Sequence, residues 1–302
     1  MIRIPIKESG DEFVSLSLSN TMQRVIGVFA VLAGLFLVTI NGSAFLLDSK
    51  CGKSHRSDNY GMIAGGENTG IFSNPWMVSI IVGGTPICGG SLITSRFVLT
   101  AAHCISRDKT IVRLGDYLTV NPENDCSTGV CIPRAYFKNV DKKIPHADFN
   151  KISNTLYDIG LLRMADEVEF SDYVRPICLL LNAKMEHVLQ FNVTGWGRRE
   201  NGEMSNFLQK TTLRRIYNYY CDDYFKKETD QTQICTGSYT SETCTGDSGG
   251  PLSAEVFYEG QFRPFLYGVV SYGSRSCTTG GLDLHTNVEK YMDWIVRALI
   301  HN

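Results

Sequence analysis

Three residues far apart in this 302-residue chain have the types and surroundings needed for nucleophilic catalysis. His103 follows an apolar run, Asp158 precedes another, and Ser248 lies in a glycine-rich string. A serine hydroxyl is a weak nucleophile at neutral pH, so it needs an imidazole base, and that imidazole needs a carboxylate to hold its tautomer. Each residue alone is typical of a surface, a turn or a plain loop. The three together predict acyl transfer.

The segments around these residues resemble the chymotrypsin-like serine proteases. They read Thr-Ala-Ala-His-Cys, Tyr-Asp-Ile-Gly and Cys-Thr-Gly-Asp-Ser-Gly-Gly-Pro, and the resemblance begins at Ile63 and continues to the end of the chain. It implies an all-β fold of two antiparallel six-stranded Greek-key barrels with a C-terminal helix. His103 would be the general base, Asp158 its orienting partner and Ser248 the nucleophile, with the backbone N–H groups of Gly246 and Ser248 as the oxyanion hole. The alternative is a non-catalytic secreted binding protein on this fold, which the complete triad disfavours.

The segment that begins Ile-Ala-Gly-Gly at Ile63 resembles the activation site of the same family. The resemblance implies that cleavage frees the α-amino group of Ile63, which then pairs with Asp247. Met62 stands where the family has arginine or lysine, so a basic-specific activator does not suit the site. Three alternatives stay open: an activator of apolar preference, a first cut at Lys53 or Arg56 followed by trimming, or a zymogen that is seldom activated.

The family's primary specificity pocket places a side chain six residues before the nucleophile at its base, and that residue is Glu242 here. A carboxylate in a narrow pocket favours a basic substrate residue, because a cation offsets its desolvation. Ser271 and Gly273 would bind the substrate backbone. Asp283 stands where a pocket glycine is common, and two nearby carboxylates raise each other's pKa. The predicted preference is therefore basic, with a blocked or atypical pocket as the alternative.

Ten cysteines are an even number, which predicts disulfides in an oxidising compartment, although the count alone leaves the pairing open. The small loop closed by two of them resembles that of the arthropod clip-domain proteases, but residues 45–62 are too few for a clip module. The pairs implied by the resemblance are Cys51 with Cys178, Cys88 with Cys104, Cys126 with Cys131, Cys221 with Cys235, and Cys244 with Cys277.

The amino-terminal region has the form of a secretory signal. Residues 25–40 carry no charge, Arg24 precedes them, and small residues lead to a cleavage site after Ala44. Met22 is a candidate for the true start, and an uncleaved membrane anchor is the alternative. These features predict three parts: an extension with the signal peptide at 1–44, a pro-segment at 45–62 and the protease domain at 63–302.

A net charge of -2 provides no overall basic field for nucleic acid. The expected partners are protein substrates, an activating protease and protein inhibitors. A membrane is an expected partner only if the signal is not cleaved. A secreted, extracellular monomer is expected.

Short apolar, β-branched runs separated by turn residues, together with 28 glycines, favour antiparallel barrels over alternating strands and helices. Apolar residues recur at helical spacing only in 221–227 and 288–300, which predicts a helix in each of these segments. The predicted strands include 76–82, 91–100, 110–114, 159–164, 188–194 and 266–272.

The predicted chemistry requires no cofactor. No metal site is expected outside one acidic segment. Asp116 opens an acidic segment with Asn121, Glu123 and Asp125, which suits either a calcium loop or, preferably, a solvated acidic loop. Asn192 begins the Asn-Val-Thr sequon, a candidate glycosylation site that leads directly into a predicted strand motif.

Overall fold

The computed structural model describes most of the chain from Phe45 onward. Within it, β-strands predominate and form two closed antiparallel barrels, which confirms the predicted fold class. The described residues are 45–53, 67–121, 123–127, 129–150, 155–198, 203–238, 247–273 and 281–302.

The first barrel has six strands, and its interior is filled by alternating apolar side chains such as Val112 and Leu114. Each strand pairs with two neighbours, so no edge is left open. The strands are β3 (Met77–Val82), β4 (Thr85–Leu92), β5 (Phe97–Thr100), β6 (Thr110–Leu114), β9 (Tyr136–Pro145) and β10 (Gly160–Met164).

The second barrel also closes through six strands, since its first and second strands pair directly. Phe191, Leu213 and Phe265 lie in its core with almost no exposed surface. The strands are β12 (Gln190–Gly195), β13 (Gln209–Ile216), β14 (Gln233–Gly237), β15 (Pro251–Tyr258), β16 (Gln261–Tyr272) and β17 (Leu282–Asn287).

Short pairings attach the amino-terminal segment to this framework. Strand β1 (Phe45–Leu46) pairs with β11 (Leu180–Leu181), and the buried guanidinium of Arg263 donates to the carbonyls of Ser49 and Cys51 at 3.2 and 3.1 Å. The remaining short strands are β2 (Glu67–Asn68) along β13, and β7 (Asp125–Ser127) with β8 (Val130–Ile132).

Four of the implied disulfides are present: Cys51–Cys178, Cys88–Cys104, Cys126–Cys131 and Cys221–Cys235. The first ties the amino-terminal segment to the barrels across 127 residues of sequence. Cys244 and Cys277 lie outside the described residues.

The prediction of one strand over 91–100 is wrong. The chain reverses between β4 and β5, where the Ile93 N–H donates to the Phe97 carbonyl at 3.0 Å and the Thr94 hydroxyl accepts from Arg96 N at 3.2 Å. Because residues on both sides of this turn are buried, hydrophobic periodicity alone did not reveal the reversal.

Both helical segments are present with shifted bounds. Helix α1 (Asn218–Phe225) ends at Lys226, which adopts a left-handed conformation with φ of 54°. A 3-10 turn (Val288–Tyr291) leads into helix α2 (Met292–His301), which buries Ile295 and Ala298. No helix in the described part of the chain is long and apolar enough to cross a membrane. The predicted signal lies outside that part.

Candidate active site

His103 and Asp158 are in direct contact at the mouth of the first barrel. His103 lies in a 3-10 turn (Ala102–Cys104) directly after β5, and Asp158 comes directly before β10, which pairs with β5. The imidazole Nδ1 lies 2.7 Å from Asp158 Oδ2, and the His103 backbone N–H donates to Oδ1 at 2.9 Å. The histidine side chain is 35% exposed and the aspartate 1%, so one ring edge faces the cleft while the carboxylate is enclosed.

The second barrel also binds Asp158. Ser271, near the end of β16, donates its hydroxyl to Asp158 Oδ2 at 2.6 Å, and Thr286 on β17 donates to the Asp158 carbonyl at 2.8 Å. Sequence analysis assigned Ser271 a role along the substrate and Thr286 none. No local motif indicates that Ser271 reaches the Asp158 carboxylate or that Thr286 reaches its backbone carbonyl, because both come from strands more than a hundred residues away.

Ser248 lies in a tight turn packed against the histidine side of the cleft. Its carbonyl accepts from the Gly89 N–H at 2.8 Å, and the Gly249 N–H donates to Val270 at 2.7 Å. Gly249 has φ of +79°, and a Cβ there would overlap Thr100 Oγ1 and contact Cys104 Sγ. Only glycine therefore allows the serine loop to approach the residues that flank His103 so closely.

A cleft of about 470 Å³ opens beside His103. Phe149 and Asn150, between β9 and β10, form one side, and Ser271 and Tyr272 contribute from the second barrel. Sequence analysis assigned no role to Phe149 or Asn150, since no motif distinguishes them.

Asp247, which precedes the serine, lies against the end of β12. Its Oδ1 accepts from the Gly197 N–H at 2.9 Å, and a Cβ at Gly195 or Gly197 would overlap the carboxylate. Both glycines thus leave the space that the Asp247 side chain occupies.

Asp283 is buried on β17, on the same strand face as His285. The His285 ring is completely enclosed, with Nε2 2.7 Å from the Thr236 hydroxyl, and burial lowers its pKa to about 3. Gly273 directly follows Tyr272, the last residue of β16. Glu242, Gly246 and Ile63 lie outside the described residues.

Comparisons with known proteins agree with this geometry. The Trypsin family model matches residues 63–295. The chain belongs to the trypsin family of serine proteases. It is 35% identical to Serine protease ea of Drosophila melanogaster over 265 residues, covering 78% of this chain and 67% of that one.

A second insect protein and one crystal structure are also similar to this chain. Phenoloxidase-activating factor 1 of Holotrichia diomphalia is 35% identical over 271 residues, covering 83% of this chain and 72% of that one. The crystal structure of the Drosophila Grass clip serine protease of the Toll pathway matches with a TM-score of 0.73 at 28% identity, covering 84% of this chain and 75% of that one. The chain thus spans about two thirds to three quarters of these insect serine proteases.

Trypsin-family chemistry needs no cofactor, and the described residues offer one cluster with metal-ligand geometry: Cys88, His103 and Cys104. Its two cysteines are joined to each other in a disulfide, which removes their thiolates as metal ligands.

The acidic segment of this trypsin-family chain departs from the predicted solvated loop. Asp116 and Asp125 are buried, so the expectation of a solvated loop is wrong for them, whereas Glu123 is exposed. Asp116 Oδ2 lies 2.7 Å from Arg113 Nε, and Asp125 Oδ2 accepts from the Tyr117 and Leu118 N–H groups at 2.8 and 2.9 Å. A guanidinium and two backbone amides thus contact one oxygen of each carboxylate, while Asp125 Oδ1 is buried without a hydrogen-bond partner. Calcium binding by this segment stays a prediction.

The candidate glycosylation site lies within the second barrel. Asn192 is in β12 with neighbours on both sides, and its side-chain carbonyl accepts from the Thr212 hydroxyl at 3.1 Å. Glycosylation, which would occur at Nδ2 of this side chain, stays a prediction.

The serine turn provides a test with a matched control. Gly249 and Gly260 have φ of +79° and +83°, but only Gly249 is surrounded. G249A is expected to abolish peptide hydrolysis, while G260A costs about 1 kcal/mol of stability and keeps full activity. Activity and thermal melting measured on both variants separate the clash from backbone strain. An active G249A would show that the turn is not constrained by its contacts with Thr100 and Gly89.

The buried acidic pair predicts a pH-dependent stability. Burial first, and then nearby Asp125, raise the pKa of Asp116 from 3.8 to about 6 against the opposing effect of Arg113. A raised folded-state pKa stabilises the protein at low pH, and this contribution is lost as the pH rises through 6. Between pH 5 and 7.5 the free energy of unfolding should therefore fall by about 1 to 2 kcal/mol through this group.

Urea unfolding of D116N is expected to lack this fall, and E123Q, which changes an exposed carboxylate of the same segment, should retain it. A pH dependence equal in D116N and the unmodified protein would contradict the raised pKa. A rise in the melting temperature on adding millimolar calcium would show that the segment binds this cation despite the contact of Asp116 with Arg113.

Proposed function

We propose that this chain is a secreted serine endopeptidase, made as a zymogen, in which His103, Asp158 and Ser248 are the catalytic residues. The observation that carries the proposal is the Asp158 carboxylate, which is buried, contacts His103 Nδ1 and is held by donors from both barrels. A carboxylate at Nδ1 leaves Nε2 of the ring to act as the base. The Ser248 turn packs against Gly89 and Thr100, and Gly249 lies close to Cys104 in the turn that bears His103, which supports Ser248 as the nucleophile.

In the proposed reaction, Ser248 Oγ attacks the scissile carbonyl while His103 Nε2 takes its proton. The backbone N–H groups of Gly246 and Ser248 stabilise the oxyanion, where one donor is typically worth about 2.7 to 4 kcal/mol. His103 then protonates the leaving amine, and an acyl-enzyme remains. Water, deprotonated by His103, hydrolyses that ester and restores the serine hydroxyl.

A preference for basic residues is proposed at the specificity pocket, with Glu242 and Asp283 as its acidic groups and Ser271 and Gly273 along the substrate backbone. His285 supports it. Because its pKa is about 3, this buried ring is neutral at physiological pH and brings no positive charge to the face that it shares with Asp283.

Activation is proposed to occur by cleavage before Ile63, with the new amino group pairing with Asp247. Asn68 pairs with Gln209 and Gln209 with Gly195, so these residues form one row across three strands that ends beside the Asp247 carboxylate. The row is about 10 Å wide at the usual strand spacing. The six residues from Ile63 to Asn68 are separated by five steps and span up to about 16 Å, which is enough to reach Asp247.

The proposed setting is extracellular. Residues 1–44 provide export, 45–62 form the pro-segment, and 63–302 form the protease. Four disulfides among the described residues suit an oxidising compartment. The relative named as a phenoloxidase-activating factor supports a protein as the substrate. An activating protease and protein inhibitors are the other proposed partners, and the enzyme is proposed to be a monomer.

Activation can be tested by providing a site that trypsin cuts. The M62R variant is expected to become active after trypsin treatment, with Ile63 as its new amino terminus, and the Cys51–Cys178 bond should hold the two chains together until reduction. Pairing with a carboxylate raises the pKa of an α-amino group above its usual 7.7 to 8, so activity should fall as the pH rises above that value. Full activity in M62R/D247N would overturn this mechanism.

Catalysis and specificity can be measured on the same activated protein. Trypsin-treated M62R is expected to hydrolyse arginyl anilides faster than phenylalanyl or alanyl ones and to react with a fluorophosphonate. M62R/S248A should be cut identically yet show neither reaction, since its nucleophile is gone. M62R/S106A is the control, because Ser106 is near His103 in sequence but bonds to Asp108. Labelling of the S248A protein would reject Ser248, and faster turnover of the phenylalanyl anilide would reject the basic preference.

A further inference from the structure

Among the four disulfides of the described residues, the Cys126–Cys131 bond is the one at the surface. Both of its cysteines are exposed, whereas the six cysteines of the other three bonds are buried, with at most 8% of their surface accessible. Thiol–disulfide exchange requires a thiolate to reach a sulfur atom, so access decides which bond reacts first. A reductant in solution therefore meets this bond before the other three.

The bond joins two cysteines that face each other across a short hairpin. Cys126 and Cys131 are directly paired between β7 and β8, and these two strands form a sheet of their own with three residue pairs. An isolated two-stranded hairpin is marginally stable in water. The strands are therefore expected to separate when the covalent bond between them opens.

The same hairpin carries a carboxylate that holds the chain preceding it. Asp125 is buried at the start of β7, and its Oδ2 accepts from the backbone N–H groups of Tyr117 and Leu118 at 2.8 and 2.9 Å. Its Oδ1 is also buried and has no hydrogen-bond partner among the described residues. Keeping a polar atom in this condition away from water is costly. Once the hairpin opens, Asp125 gains by moving into water, and its hold on the two N–H groups is lost.

The segment that Asp125 holds links the two barrels. The Tyr117 carbonyl accepts from the Leu208 N–H at 3.0 Å, and the Thr119 N–H donates to the Asn206 carbonyl at 2.9 Å. Leu208 leads directly into β13, the strand that pairs with β2 just after the proposed cleavage site. Opening the hairpin is therefore expected to loosen the strand that receives the cleaved chain.

We propose that the Cys126–Cys131 bond is a site of thiol–disulfide exchange with a dithiol reductant, and that opening it lowers the activity of the enzyme. One thiolate of the reductant attacks a cysteine sulfur and forms a mixed disulfide, while the other cysteine leaves as a thiolate and takes up a proton. The second thiol of the reductant then attacks the mixed disulfide and releases the first cysteine. The cysteines gain two electrons and two protons, which the dithiol loses as it becomes a disulfide. The effect on activity rests on the proposed endopeptidase function, whereas the exchange itself does not.

The exchange is tested on trypsin-treated M62R/S248A, which lacks the proposed nucleophile and so does not digest itself. The protein is treated for a fixed short time with a graded series of dithiothreitol concentrations, alkylated with iodoacetamide and mapped by mass spectrometry. Cys126 and Cys131 are expected to be alkylated at a concentration roughly tenfold below that needed for the buried cysteines, because only they are accessible. Alkylation of any buried cysteine at the same concentration would overturn the exchange site.

The coupling between the hairpin and the second barrel is measured by hydrogen exchange. C126S/C131S, added to M62R/S248A, imitates the open bond, and the amides of 206–208 should exchange roughly five times faster, at the lower end of typical couplings between sites. S127A is the matched control, since it changes the same hairpin and keeps the bond, and it should leave this exchange unchanged. Unchanged exchange at 206–208 in the double cysteine variant, or an equal rise in S127A, would refute the coupling.

Activity is compared in trypsin-treated M62R and M62R/C126S/C131S. The second protein is expected to hydrolyse the arginyl anilide with kcat/KM about fivefold lower, and dithiothreitol that opens only the exposed bond should lower M62R to the same level. M62R/C126S/C131S should not respond to that treatment, and an equal loss there would trace the effect to another bond and reject the proposal. If no protein hydrolysed any anilide, the endopeptidase proposal would fail while the alkylation and hydrogen-exchange results still decided the exchange site and its coupling.

Discussion

The buried carboxylate of Asp158 is the interaction on which the rest of the site depends. A charge withdrawn from water costs several kcal/mol unless donors surround it, and breaking such a set typically costs about 3 to 5 kcal/mol. Here the donors come from the first barrel through His103 and from the second through Ser271. The two barrels must therefore be correctly docked for the charge to be satisfied, and the same docking orients the imidazole.

Small residues make the remaining contacts possible. The serine turn approaches β4 and β5 only because Gly249 has no side chain, and the Asp247 carboxylate fits only because Gly195 and Gly197 have none. Gly249, next to the serine, is thus a steric requirement where the serine turn of the second barrel meets β4 and β5 of the first. Disulfide Cys88–Cys104 holds one of these loops in place, since it joins β4 to the turn that bears His103.

The sequence predicted the barrels and the contact of His103 with Asp158 because these depend on local patterns and a recognisable set of motifs. It did not predict the reversal between β4 and β5, because buried residues continue through that turn. It also treated Asp116 as part of a solvated loop. The burial of that carboxylate depends on Arg113 and on the hairpin of β7 and β8, and charge content alone does not reveal such an enclosure.

By itself, the sequence determined the residue types of the candidate triad, the family and the cysteines available for pairing. Tertiary structure alone decided which donors hold Asp158 and which carboxylates are buried. The reason is physical. Motifs record the local chemistry of a few neighbouring residues, whereas burial and charge pairing arise from strands and loops that are distant in sequence and meet only when the barrels close.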